Sequence, residues 1–135
     1  MERLFLDANV LFSAAYRKDA GVRRLWGLPE TELATSAYAV EEARRNLDTA
    51  EQRADLDELL EAVRVSNLLA DPTVHPGIEA SGLPEKDLPI LRAAVAAHAT
   101  HLVTGDRKHF GALFGKKVAG VLVVRPADHL AGRGR

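Results

Sequence analysis

Cysteine is absent from the 135 residues of this chain, and aromatic residues make up only 5% of it. Without cysteine there can be no disulfide framework, no zinc site built on thiolates and no cysteine nucleophile. With so few aromatic side chains, stacking on flat ligands cannot dominate recognition. Tyr38 and Trp26 are therefore interpreted as packing or interface residues.

Long apolar runs and an excess of positive charge are also missing. No apolar segment approaches the roughly 20 residues that span a bilayer, so no membrane contact is predicted. The opening MERLFLDANVLFSAAYRK places acids inside its apolar stretch and offers no small-residue cleavage site, which predicts a cytoplasmic protein. The net charge is −1, without the basic excess typical of nucleic-acid-binding domains. Basic residues at the rim of an acidic site would still contact phosphates.

The chain has the composition of one globular domain, with 47% hydrophobic and 27% charged residues. Its length is sufficient to bury a core without a structural metal or disulfides. No linker or internal repeat divides it. We predict a single domain over residues 1–128 and a disordered tail over residues 129–135, which ends in AGRGR.

Short apolar segments alternate with longer segments of helical periodicity, a pattern typical of an α/β fold with a parallel sheet covered on both faces. Asp71–Pro84 contains three prolines and two glycines and is predicted to be loop for much of its length. The predicted strands are Arg3–Leu6, Glu32–Thr35, Val65–Leu69, His101–Thr104 and Val121–Val124. The predicted helices are Val10–Trp26, a Ser36-capped helix to Leu47, Glu51–Val63 and Pro89–Ala99.

Four acidic residues stand where such a sheet would gather them. Asp7 and Asp106 each follow a predicted strand, at the edge where α/β sheets bind ligands. Glu42 lies in the helix after the second strand, and Asp87 opens the alanine-rich helix. We therefore expect the four carboxylates to converge at one edge of the sheet.

Converging carboxylates repel one another unless a cation lies among them. Oxygen-rich sites without cysteine or paired histidines suit Mg²⁺ or Mn²⁺ better than zinc. Such ions activate water and stabilise the charge that develops on a phosphodiester during hydrolysis. His98 and His101 have no third ligand at a recognised spacing and are interpreted as structural.

Four segments of the chain resemble, in order, the successive motifs of the PIN domain family: LFLDANVLFSA, TSAYAVEEARRNL, EKDLPILRAAVAAHATHLVTGD and RKHF. The resemblance covers most of the chain. It implies a three-layer α/β/α sandwich with a central parallel sheet, dependence on Mg²⁺ or Mn²⁺, and endoribonuclease activity. Many bacterial members of the family, among them the VapC group, are toxins of toxin–antitoxin pairs. The implied partners are an RNA substrate, an antitoxin protein and a second copy of the chain.

Carried over position by position, the resemblance assigns the metal and catalytic roles to four acids. Glu42 is preferred to Glu41 because of its spacing from Ser36 and because it lies nearer the buried stripe of its helix. Asn9 and Thr104 match the polar residues that hold carboxylates and water by hydrogen bonds. The four acids are Asp7, Glu42, Asp87 and Asp106.

Each of these residues also has a purely structural explanation. Asp7 and Asp106 are common turn residues, Asp87 could cap the helix that contains Pro89, and Glu42 could be a solvated surface residue. The basic pair that follows Asp106 could contact RNA phosphates or simply be solvated. That pair is Arg107 and Lys108, with His109 directly after it.

Other functions remain open on the sequence alone. A haloacid-dehalogenase-like phosphatase also places an aspartate after its first strand, but here the next key position is Asn9, and Lys116 and Lys117 lie outside a recognisable motif. A receiver-type module would need an acidic pair ahead of its aspartate. A catalytically silent RNA-binding or scaffold protein of the same fold is the remaining alternative, although all four acids are intact.

Overall fold

The computed structural model describes residues 1–67 and 75–133, which form a six-stranded sheet with helices packed against it. The strand order is β3-β2-β1-β4-β6-β5, and every pairing is parallel except that of β5 with β6. The strands are β1 Glu2–Leu6, β2 Thr31–Ser36, β3 Val63–Ser66, β4 His101–Val103, β5 Lys117–Val118 and β6 Val121–Val124. The α/β prediction is confirmed.

The α-helices are α1 Ala8–Tyr16, α2 Ala37–Asn46, α3 Ala50–Leu60, α4 Pro76–Glu79, α5 Leu88–Ala96, α6 Arg107–Phe110 and α7 Pro126–Arg133. Three 3₁₀ segments cover Gly21–Gly27, Glu85–Asp87 and Gly111–Leu113. Ser36 caps α2 as predicted, because its hydroxyl accepts a hydrogen bond from the amide of Ala39. None of the described helices is long and apolar enough to cross a membrane.

The central strand β1 is covered on both faces. Leu4, Phe5 and Leu6 are all fully buried although their side chains alternate between the two faces of the sheet. The neighbouring β4 contributes Leu102 and Val103 to the same core. Helical layers on both faces of a parallel sheet are the only simple way to bury three consecutive strand residues, so the sandwich has three layers.

The direction in which the chain winds changes between β1 and β4. From β1 the sheet grows through β2 to β3 on one side and through β4 to β6 on the other. Ligands of open α/β sheets bind in the crevice outside the carboxyl ends of the strands at such a switch point. Leu6 and Val103 are paired there, so Asp7 and Thr104 leave the sheet side by side.

Several predicted element boundaries are wrong. The helix predicted over Val10–Trp26 ends at Tyr16 and is followed by an extended Arg17, because the polar run after Tyr16 interrupts its apolar stripe. The third strand begins at Val63 rather than Val65, while residues 68 and 69 lie outside the described residues. The described part of Asp71–Pro84 contains the short helix α4, capped by His75, and its remaining residues are turn and loop, which agrees with the prediction of loop for much of this stretch.

The antiparallel strand β5 was not predicted. Ala119 and Gly120 join it to β6 through a two-residue turn in which both residues have positive φ, 52° and 86°. Turns of this kind match the right-handed twist of a hairpin, but they favour Asn-Gly or Gly-Gly, so Ala-Gly gives little signal.

The C-terminal segment differs from the predicted tail. Residues 129–133 belong to α7, and His129 and Leu130 are buried, whereas residues 134 and 135 lie outside the described part of the chain. The glycines and arginines near the end suggested disorder, but Leu130 joins the main hydrophobic core.

Replacing Leu130 tests whether α7 belongs to the folded domain. We expect Leu130→Ala to lower the free energy of unfolding by about 2 kcal/mol or more, because it removes buried apolar volume. Ala131→Ser, at the exposed neighbouring position, should change it by less than about 0.5 kcal/mol. Urea unfolding of the variants measures both values, and equal stabilities would show that α7 contributes nothing to the core.

Candidate active site

Asp7 lies at the switch point, at the junction of β1 and α1. Its side chain is only 5% exposed, and its carboxylate oxygens accept hydrogen bonds from donors nearby. The amide of Ala8 donates to Oδ1 at 2.6 Å, and the Thr104 hydroxyl donates to Oδ2 at 2.8 Å. A buried carboxylate is tolerated only when donors of this kind compensate for the lost hydration.

Asn9 and Thr104 connect the turn after β1 with the turn after β4. The Asn9 amide nitrogen donates to Asp7 Oδ2 and to Thr104 Oγ1, both at 3.2 Å, and its oxygen accepts from the Gly105 amide at 2.8 Å. Thr104 Oγ1 also accepts from the Asp106 amide at 3.1 Å. Every donor and acceptor of the two side chains is used, so the two turns are fixed relative to each other.

A second group of side chains joins the start of α5 to the start of α6. His109 Nδ1 lies 2.9 Å from Asp106 Oδ2 and 3.1 Å from Asp87 Oδ2. Asp106 also caps α6, since its Oδ1 accepts from the His109 amide at 3.0 Å. One ligand atom from each of the three side chains lies within 4.8 Å of those of the other two.

Two atoms of this group are buried but have no hydrogen bond. Asp87 Oδ2 and His109 Nδ1 approach each other closely, yet neither forms a contact with the geometry of a hydrogen bond. Asp87 occupies the N-cap position of α5, as its structural explanation expects, but its side chain makes no capping hydrogen bond. Buried polar atoms without partners require another explanation, and a bound ion is one.

Glu42 lies on α2, on the side that faces Asp7. It is half-buried and lines a cavity of about 270 Å³ together with Asn9 and Phe12, whereas Glu41 is exposed. The charge of Glu42 contributes to raising the pKa of Asp7. The same charge raises the pKa of Tyr38, second to burial, and the Tyr38 hydroxyl donates to the Lys86 carbonyl at 3.0 Å. The geometry therefore favours Glu42 over Glu41 as the fourth acid.

Two of the carboxylates have raised pKa values. Burial raises the pKa of Asp7 from 3.8 to about 6, and the charges of Glu42 and Asp87 add to the increase. Burial also raises the pKa of Asp87, with the Asp106 charge in the same direction and His109 opposing it. Both shifts mean that the site favours a positive charge among its carboxylates.

The remaining predicted residues lie near this group or away from it. Arg107 and Lys108 are exposed in the first turn of α6, directly after Asp106, and their contact with a substrate stays a prediction. His98 is exposed at the end of α5. His101 lies at the opposite edge of the sheet, near Glu2. Trp26 packs against the core, and its indole donates to the Leu59 carbonyl at 3.0 Å.

His109 is the residue that sequence reasoning missed. In the sequence it stands in a basic run, which hides the fact that its spacing from Asp106 puts both side chains on one face of a short helix. Its approach to Asp87 depends on the packing of α5 against the sheet, which no local pattern reveals.

The donor set fits a hard divalent cation. In an octahedral site with bonds of about 2.1 Å, neighbouring ligand atoms are about 3 Å apart. The two contacts of His109 Nδ1, at 2.9 and 3.1 Å, match this separation. Asp87 and Asp106 would supply oxygen ligands, His109 a nitrogen ligand, and Asp7 a further carboxylate on the neighbouring turn.

The chain is an α/β sandwich with clustered carboxylates at the switch point of its sheet. A model of the PIN domain matches residues 3–108, so the chain belongs to the PIN domain family. No curated protein matches the sequence.

Two solved structures share the fold. One is VapBC2 from Rickettsia felis bound to a DNA fragment from their promoter, with a TM-score of 0.67, 20% identity and coverage of 91% of this chain and 98% of that one. The other is VapBC-1 from nontypeable Haemophilus influenzae, with a TM-score of 0.63, 19% identity and coverage of 93% and 98%. Both likenesses concern the backbone, since so few residues are identical.

The raised pKa of Asp7 makes the stability of the metal-free protein depend on pH. The folded state holds the Asp7 proton more tightly than the unfolded state, whose pKa is near 3.8. The resulting stabilisation is complete below about pH 4 and is lost as the pH rises through about 6, on the order of 3 kcal/mol in total. Asp7→Asn removes this titration, so its stability relative to wild type should increase from pH 4 to pH 7.

Urea unfolding at several pH values, with a chelator present, measures this difference. Asp19→Asn, at an exposed position, serves as the control and should give a difference that does not change with pH. A constant difference for Asp7→Asn as well would show that the buried carboxyl keeps its ordinary pKa.

Proposed function

We propose that the protein is a nuclease that uses Mg²⁺ or Mn²⁺ to hydrolyse phosphodiester bonds of RNA. The observation that carries the proposal is the group of Asp87, Asp106 and His109, whose ligand atoms lie within 4.8 Å of one another and whose Asp87 charge acts on the buried Asp7. Membership of the PIN domain family supports the same activity. Oxygen-rich ligand sets of this kind serve phosphoryl chemistry rather than redox chemistry.

Asp87, Asp106 and His109 would hold the ion, with Asp7 and Glu42 as further carboxylates at the same edge. A bound ion would supply charge stabilisation and a more acidic water. Glu42, which is half-buried and whose charge acts on Asp7, would orient a water molecule. Asn9 and Thr104 keep the Asp7 carboxylate in one orientation by direct hydrogen bonds. The exposed Arg107 and Lys108 would meet substrate phosphates.

The burial of Asp7 argues against the phosphatase alternative. A nucleophilic aspartate must present a free oxygen to the substrate. Both oxygens of Asp7 accept hydrogen bonds, and the side chain is 5% exposed. Asp7 is therefore better suited to hold charge in the site than to attack phosphorus.

We further propose that the protein acts as the toxin of a toxin–antitoxin pair. Its support is the likeness of the fold to two VapBC structures. In this role the protein would bind an antitoxin protein, and a homodimer and a cytoplasmic location are expected with it. Co-expression with the product of a neighbouring gene, followed by co-purification, tests the proposed partner.

A cleavage assay with Asp106→Asn tests the proposed activity. We expect wild type to cleave RNA with Mg²⁺ or Mn²⁺ and not with a chelator, and Asp106→Asn to lose at least about 100-fold in rate, because it removes a charged ligand. Asparagine can still cap α6, so the fold should be retained. Asp48→Asn, at an exposed acid beyond α2, is the matched control and should cleave normally.

Two results would contradict the nuclease proposal. The first is the absence of RNA cleavage by folded wild type with either ion. The second is normal cleavage by the Asp106→Asn protein. Binding of RNA without cleavage would favour the silent scaffold instead.

Replacing His109 shows whether its imidazole binds the ion or merely neutralises the acids. If the imidazole is a ligand, His109→Gln should weaken Mn²⁺ binding by about 10-fold to 100-fold. It should weaken Mg²⁺ binding less, because Mg²⁺ prefers oxygen ligands. A protonated histidine that only neutralises the acids would compete with the ion. In that case the same substitution would strengthen metal binding. Calorimetric titration of the metal-free proteins measures the sign directly.

A further inference from the structure

A second group of metal-ligating side chains lies at the opposite, amino-terminal edge of the sheet. It consists of Glu2 at the start of β1, His101 at the start of β4 and His129 on α7. One ligand atom from each lies within 4.8 Å of those of the other two. No part of the proposed nuclease activity uses these residues.

The sheet and α7 bring the three side chains together. Leu4 is paired with His101 in the β1–β4 register, and Glu2 lies two residues before Leu4, so Glu2 and His101 project from the same face. His129 approaches from α7 and is 8% exposed. Its Nε2 lies 3.1 Å from Glu2 Oε1, and Nε2 of His101 lies 4.0 Å from Glu2 Oε2. The two imidazole rings are 4.7 Å apart, tilted by 60°.

The Thr100 hydroxyl fixes the orientation of the His101 ring. It lies 3.0 Å from the Arg3 carbonyl and accepts from the Arg3 amide. It also lies 2.8 Å from His101 Nδ1, so this nitrogen is occupied and Nε2 is the ring nitrogen that faces Glu2. When the hydroxyl donates to the Arg3 carbonyl, Nδ1 carries the hydrogen of the neutral ring and Nε2 presents a lone pair toward Glu2.

This arrangement is the one that metal-binding histidines adopt. Their second nitrogen donates to a fixed acceptor, which sets the tautomer and orients the ring. With the hydrogen on Nδ1, Nε2 faces the Glu2 carboxylate favourably only when the ring is protonated there as well or when a cation lies between the two groups. Tetrahedral ligands at about 2.05 Å from a metal are about 3.3 Å apart, a value between the two contacts of Glu2.

We propose that Glu2, His101 and His129 form a Zn²⁺ site that fastens α7 to the amino ends of β1 and β4. Two imidazoles and one carboxylate are a ligand set that zinc uses with three protein ligands, leaving the fourth position for water. The set has more nitrogen than the acidic edge and therefore favours Zn²⁺ over Mg²⁺. The ion would connect the first strand, the fourth strand and the last described helix.

Zinc titration of a variant that has lost one ligand of the acidic group tests this proposal. Asp106→Asn removes a ligand from the group at the other edge, so zinc bound tightly by this protein reports on Glu2, His101 and His129. We expect metal-stripped Asp106→Asn to bind one Zn²⁺ in calorimetry. Co²⁺ in its place should give the intense visible absorption of a tetrahedral site. Zn²⁺ should also raise the melting temperature.

Glu2→Gln and His101→Gln, each added to Asp106→Asn, identify the ligands. Their side chains are partly exposed, so the folded state should survive where a change at the buried His129 would endanger it. Each should weaken Zn²⁺ binding at least about 100-fold and abolish the rise in melting temperature. His98→Gln, at an exposed histidine three residues before His101, should leave both unchanged.

The proposal is wrong if Asp106→Asn binds no Zn²⁺, or if the Glu2 and His101 variants, shown to be folded by circular dichroism, bind it as tightly as their parent. Because the readouts are zinc affinity, cobalt absorption and melting temperature, the result does not depend on whether the protein cleaves RNA.

Discussion

The hydrogen bond from the Thr104 hydroxyl to the buried Asp7 carboxylate, 2.8 Å long, joins the ends of the two central strands. A carboxylate that is only 5% exposed would be strongly disfavoured without it and without the Ala8 and Asn9 donors. The same hydroxyl accepts from the amide of Asp106 and so sets the start of α6. The positions of Asp106 and His109 therefore follow from how Asp7 is held, and the acidic edge forms as one unit.

The hydrogen bonds that hold this unit together do not remove the repulsion between its carboxylates. The pKa values of Asp7 and Asp87 are both raised, so at neutral pH the folded protein keeps carboxylates charged at a cost to its stability. His109 offsets part of that cost at Asp87 but forms no hydrogen bond there. A site that is preorganised yet electrostatically unfavourable would gain most from the entry of a divalent cation.

Local rules were enough to place Asp7, Asp106 and Thr104, because residues that follow parallel strands share an edge of the sheet. The helical wheel also separated Glu42 from Glu41. His109 could not be found in this way, since its partner Asp87 lies on another element and the contact arises from tertiary packing. Strand β5 and the helix around His129 were missed for a different reason. The turn Ala119-Gly120 gives little signal for a hairpin, yet burial of Val118 stabilises β5. Gly132 and Arg133 suggest a disordered end, yet burial of Leu130 stabilises α7.

Polar or ionisable side chains lie at both ends of strands β1 and β4. At the carboxyl ends stand Asp7 and Thr104, and at the amino ends Glu2 and His101. β1 spans five residues and β4 three, so the two edges are separated by little more than a buried layer of Leu4, Phe5 and Leu102. Such a core is close-packed and transmits displacement rather than absorbing it. A cation that pins the amino ends to α7 would therefore also restrict the turns that carry the acids, and the nitrogen-rich edge would support the geometry of the oxygen-rich one without sharing its chemistry.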